Sequence, residues 1–187
     1  MIKKKRKNLI SDKENPYLQV EKICLYADKL RKITYKKTKI KSNYVFYEFV
    51  FFLYSINDIF LKLTNTSETT VKKIAPLLFN NLETTNNPDY KIIDEKIKII
   101  AFYRIKSYRS ILLRYNEKFT PDFYQDSYQY LSDLIAYIQF HQRLAHQDYV
   151  PVSKQEWIEL AITEPLLQKI NRILVKKHKL VLDFLYN

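Results

Sequence analysis

Apolar residues recur at helical spacing through most of the chain. Val20, Ile23, Cys24, Ala27 and Leu30 share one face, behind an Asn15-Pro16 pair that reads as an N-cap followed by proline at the first helical position. The pattern predicts a helix from Pro16 to about Tyr35, then a basic connector carrying Lys36, Lys37, Lys39 and Lys41. Ser42 or Asn43 caps a second helix that reaches about Leu63. This helix is apolar nearly all round, and its polar positions Glu48, Ser55, Asp58 and Lys62 fall on one narrow stripe. Such a helix belongs in the middle of a bundle.

Ser67 can cap a third helix carrying Val71, Ile74, Leu77 and Leu78, which Pro76 should kink or end near Ala75. The Asn- and Thr-rich run 80–87 reads as a surface loop. Asn87-Pro88 repeats the cap-plus-proline signal and opens a long helix toward Phe119, with Ile93, Ile97, Ile100, Ala101, Tyr108, Ile111, Leu112 and Tyr115 on one stripe. Thr120-Pro121 starts another, to about His146, burying Tyr124, Tyr128, Leu131, Leu134, Ile135 and Ile138. A loop at 147–152 precedes a capping box, Ser153 to Glu156, and a short helix to Ile162. Thr163-Glu164-Pro165 opens a final helix whose stripe runs from Leu166 to Phe184. The expected fold is all-α: a single-domain bundle of about six helices with a central apolar helix and one long basic helix. Residues 1–14 read as a basic flexible tail and 15–187 as the bundle, with any subdomain boundary at 80–87.

Composition sharpens this. The chain of 187 residues contains no glycine. Phosphate-cradling loops and the dinucleotide fingerprint both need glycine for close backbone approach, which argues against common nucleotide-binding enzymes. Tight hairpins lose their favoured residue, and asparagine is left to take left-handed positions at helix ends. Cys24 is the one cysteine, which excludes an internal disulfide and makes a reducing, cytoplasmic setting the expectation. The apolar stretch Tyr44–Leu63 contains Glu48, Asn57, Asp58 and Lys62, so a buried core helix is expected rather than a membrane span. No cofactor is expected.

The net charge of +12 points to a polyanionic partner, RNA or DNA first. Lys, Ile, Asn, Tyr and Phe share AT-rich codons, which can account for much of the residue choice. Codon bias does not readily account for 32 basic against 20 acidic residues. Candidate phosphate contacts are Lys3, Lys4, Lys5, Arg6 and Lys7 in the tail, and Lys36, Lys37 and Lys39 after the first helix. On the long helix they are Lys91, Lys98, Arg109, Arg114 and Lys118, with tyrosines placed to stack on bases. The competing reading is a solvated helix face with lysine stems lying along it.

Arg104 falls inside the apolar stripe of the long helix. A buried arginine needs a carboxylate or several carbonyls, so it marks a buried ion pair, with Glu48 or Asp58 as partner, or an anion site. On the last helix, Arg172 is followed by five residues and His178. An arginine and histidine at this spacing resemble the active-site motif of the HEPN superfamily of all-helical ribonucleases. The resemblance implies metal-independent RNA cleavage by Arg172 and His178 of paired subunits. The polar residue that often follows the family's arginine is Ile173 here. His141 and His146, five residues apart, diverge on a helix, so with Asp148 they make a poor metal site and none is expected. The expected function is therefore non-catalytic nucleic-acid binding, RNA above all, by an accessory protein of a nucleoprotein complex. The alternatives are the HEPN-like ribonuclease and a helical module that binds an acidic or apolar protein partner.

Overall fold

Asn15 accepts hydrogen bonds from the backbone N–H groups of Tyr17 and Leu18, at 3.0 and 3.4 Å, and Pro16 follows in the first turn. This cap starts α1, Pro16–Thr38. The computed structural model describes residues 13–85, 95–116, 118–143 and 164–186. Ser42 caps α2, Asn43–Leu63, by accepting from the Tyr44 N–H at 3.2 Å. Ser67 caps α3, Glu68–Thr84, through the Thr70 N–H. There follow α4, Glu95–Leu113; α5, Pro121–Arg143; α6, Glu164–Lys176; and α7, His178–Tyr186. The described residues contain seven helices and no strand.

The all-α bundle stands as expected, with α2 at its centre. Every α2 residue from Val45 to Leu61 is buried. The helix packs against α1, α3, α4, α5 and α7. Phe46, Phe49, Phe52, Leu53 and Ile56 are fully enclosed, and Phe52 meets the rings of Tyr108 on α4 and Tyr128 on α5. This is the one described helix long and apolar enough to cross a membrane, and 89% of its apolar window is buried inside the fold.

Four local readings differ from the expectation. The first helix continues past Tyr35 to Thr38, so Lys36 and Lys37 occupy its last turn rather than a connector. Pro76 neither ends nor shortens α3, which runs on to Thr84 and removes the front of the loop expected at 80–87. Leu78 and Leu82, both buried, hold this second half of α3 against the core. The described part of the long helix stops at Leu113, where Asn116 turns left-handed at φ 53°. The last helix is two: Lys177 interrupts it, and its N–H bonds to the carbonyls of both Ile173 and Leu174 at 3.0 Å. The expected capping box at 153–156 and its short helix lie outside the described residues, as do residues 1–12 and 86–94.

Three described residues are left-handed: Lys39, Asn65 and Asn116. Two are asparagine, the residue best suited to that region when glycine is absent. Residue 14 is tied down rather than loose. The Glu14 carboxylate accepts from the Ser67 N–H at 3.2 Å and the Thr70 hydroxyl at 3.1 Å. Those bonds, the Ser67 N–H first, hold its acid below the usual carboxylate range.

Candidate nucleic-acid interface

The candidate cations divide into two populations. On the long helix α4 they meet acids of neighbouring helices. Arg104 is buried, and its Nε lies 3.0 and 3.2 Å from the two carboxylate oxygens of Glu48, itself only 2% exposed. One helical turn and a half further on, Arg109 Nη2 lies 2.8 Å from Asp58, which also receives Lys62 at 2.8 Å. The narrow polar stripe of α2 thus faces α4, and its two acids take one arginine each. Both pairs ascend with chain number, as two helices running in the same sense require. Lys98 pairs with Glu83 of α3, and Arg114, just past the end of α4, pairs with Asp126 of α5 at 3.2 Å. Lys118 is exposed and pairs with no acid among the described residues. Lys91 lies outside the described residues, with Lys3, Lys4, Lys5, Arg6 and Lys7.

At the corner between α1 and α2 the pattern is different. Lys36, Lys37 and Lys39 are exposed and form no ion pair among the described residues. Lys36 and Lys37 stand in the last turn of α1, where cations balance the negative end of the helix dipole. Lys39 is the left-handed cap, at φ 63°, and its N–H bonds to the Tyr35 carbonyl at 2.8 Å. Its ammonium lies 5.7 Å from the centre of the exposed Tyr35 ring.

Beside these lysines is a concavity of about 620 Å³ lined by Arg31, Lys32, Tyr35, Lys41, Tyr44 and the α2 cap residues Ser42 and Asn43. The start of α2, its Tyr44 and Val45 N–H groups taken by Ser42, therefore borders a basic, aromatic hollow. Asp28 tempers it from one side, pairing with Arg31 at 3.0 Å and Lys32 at 2.6 Å. Arg31, Lys32 and Tyr35 fall in the basic segment 31–41 where an anionic partner is expected, whereas Tyr44 was not singled out by sequence. The available signal was a tyrosine on each side of the lysine-rich stretch 36–41.

The arginine and histidine of the ribonuclease-like motif are held differently from one another. Arg172 is exposed on α6. His178 begins α7, beyond the break at Lys177, and turns inward. Its Nδ1 lies 2.8 Å from the Tyr128 hydroxyl, and its ring meets Tyr124 edge-on at 4.6 Å. Burial holds the imidazole below its ordinary pKa. Cys24 is packed into the α1–α3 seam, and burial pushes its thiol up to about 11, which keeps it protonated and unreactive. Among the described residues no three His, Cys, Asp or Glu side chains gather to hold a metal. His146 and Asp148 lie outside the described residues, as does the side chain of His141. Compared with protein-family models, curated proteins and solved structures, the chain matches none.

Proposed function

We propose that this chain binds nucleic acid, single-stranded RNA in the first instance, as a non-catalytic accessory protein of a nucleoprotein complex. The observation that carries the reading is the α1–α2 corner. There Lys36, Lys37 and Lys39 stand without acidic partners beside a hollow walled by Tyr35 and Tyr44. Ammonium groups along such an edge neutralise successive phosphates, and the exposed Tyr35 and half-buried Tyr44 rings offer faces on which unstacked bases can lie. Arg109, Lys98 and Arg114 contribute less, because each already meets a carboxylate.

The test is a salt titration of binding to single-stranded and duplex RNA and DNA. A steep fall of affinity with salt is expected, and replacing Lys36, Lys37 and Lys39 together by alanine should flatten its slope. Absence of binding at low salt overturns the reading. That outcome favours a second one, a protein-binding module, which has its own support on the outward face of α4. There Ile99, Phe102, Tyr103 and Leu113 follow one another at helical spacing, each more than half exposed. Cleavage of RNA in the same reactions, lost in His178→Ala, would replace both with the ribonuclease.

A further inference from the structure

A second cleft, sharing no lining residue with the corner, lies where α1, α2 and α7 meet. It encloses about 230 Å³. Its floor is Phe60, Leu61 and Leu185, all buried, with Gln19 and Asn57 beside them. Its walls are half-exposed apolar side chains, Leu18, Leu25 and Tyr186, and the Tyr186 ring stands edge-on to Phe60 at 5.2 Å. Lys13 and Lys22 line it as well, with one acid, Glu21. The Lys13 ammonium sits 4.6 Å from the Phe60 ring centre, and that of Lys22 5.3 Å from the ring centre of Phe184.

Asn57 is what makes this more than an apolar dent. It is 2% exposed, and its Nδ2 finds no acceptor among the described residues. Buried amide donors are nearly always satisfied, and one left open in a residue that lines a cleft can serve an incoming acceptor once the side chain turns outward. The remaining chemistry follows from the lining. The apolar floor and the Tyr186 wall suit a flat ring. Two ammoniums against one carboxylate leave the lining net cationic.

We propose that this cleft binds a small aromatic acid that carries a hydrogen-bond acceptor at the end opposite its carboxylate. The acceptor takes the Asn57 N–H, the ring lies on the apolar floor against the Leu25 wall, and the carboxylate meets Lys13 and Lys22. The volume limits the ligand to one ring with short substituents.

The test uses the full chain and 4-acetylphenylacetate, followed by ligand-detected NMR at millimolar concentrations. Two analogues separate the contributions. 4-Ethylphenylacetate lacks the acceptor and should bind about tenfold more weakly, since it leaves the buried donor unpaired. The uncharged 2-(4-acetylphenyl)ethanol should bind about threefold more weakly, as expected for a solvent-screened charge pair. Leu25→Trp fills the cleft from its exposed rim without touching the core and should abolish binding. Asn57→Leu should erase the preference for the acetyl over the ethyl compound. No binding of 4-acetylphenylacetate, equal binding of the ethyl analogue, or binding unchanged by Leu25→Trp would each overturn the proposal.

Discussion

The long helix α4 and the corner between α1 and α2 carry comparable numbers of cations, yet they differ in what those cations face. α4 lies against α2 and α5, and the acids Glu48, Asp58, Glu83 and Asp126 come within reach of its arginines and Lys98. The corner is a place where one helix ends and another begins, and among the described residues no third element brings an acid to Lys36, Lys37 or Lys39. Formal charge is therefore a poor guide to potential. The arginines of α4 and its Lys98 are neutralised by neighbouring acids, whereas the lysines of the corner project outward. A polyanion is recruited by the second kind of cation and not the first.

The strongest way to break this contrast is at Arg104. If its charge is structural, Arg104→Met strands Glu48 as a buried, uncompensated carboxylate and should destabilise the fold by about 3–5 kcal/mol. The double replacement Arg104→Met with Glu48→Leu should recover most of that loss, because two apolar side chains of similar size need no partner. Urea denaturation measures both. A single variant of normal stability that no longer binds nucleic acid would place Arg104 in the interface and erase the difference between the two regions.

Next in size is the corner itself. Replacing Lys36, Lys37 and Lys39 by alanine removes three phosphate contacts. The slope of log affinity against log salt for single strands should shrink by about 2, with stability changed by no more than about 0.5 kcal/mol. Arg109→Ala with Lys98→Ala serves as the counterpart: it should cost stability and leave the slope in place. Equal loss of slope in both sets would show a diffuse cationic surface instead of a localised one.

A smaller effect separates charge from conformation within the corner. Lys39 holds a left-handed backbone, which a Cβ disfavours by about 1–2 kcal/mol. Lys39→Gly should therefore raise stability by roughly 1 kcal/mol while lowering nucleic-acid affinity by one phosphate contact. Thermal unfolding and the salt titration read the two quantities separately. Loss of stability in this variant would mean that the lysine side chain itself, through its contact with Tyr35, holds the corner together.

Much of the scaffold was legible before any coordinates, because it rests on local rules. Asn15, Ser42 and Ser67 cap as their residue type suggests, and the apolar stripes of α2 and α5 are the buried faces. The departures have tertiary causes. Pro76, which forfeits one helical hydrogen bond, is expected to kink or end α3, but the burial of Leu78 and Leu82 carries the helix past it. No proline or glycine marks the break at Lys177, after which α7 puts Val181, Phe184 and Leu185 in the core. The split among the cations was the least legible feature. Arg104 and Arg109 find acids 56 and 51 residues away, and no helical wheel contains that information. Sequence narrowed the partner of Arg104 to Glu48 or Asp58, and only packing decided between them.

The smallest expected effect concerns a third basic region, around Lys176, Lys177 and Lys179, where His178 turns inward among exposed lysines. The groups facing its ring among the described residues are Tyr128, bonded at Nδ1, and Tyr124. Burial depresses its pKa, so the folded state binds this proton less readily than the unfolded chain does. The stability it confers is present above the ordinary histidine value of about 6.5 and is lost as pH falls below it. Asp133 works in the opposite sense nearby. Burial pushes its carboxyl up to about 6, so its protonation favours the folded state as pH falls from there toward the ordinary aspartate value. The two act in opposite senses over overlapping pH, and the difference between wild type and His178→Asn isolates the histidine. Asparagine can keep the bond to Tyr128 and begins a helix well, but it does not titrate. Its denaturation midpoint should fall less steeply between about pH 6.5 and 5 than that of the wild type. Parallel curves would show that His178 stays as free to take a proton in the fold as in water, which would return it to the exposed, corner-like class of cations.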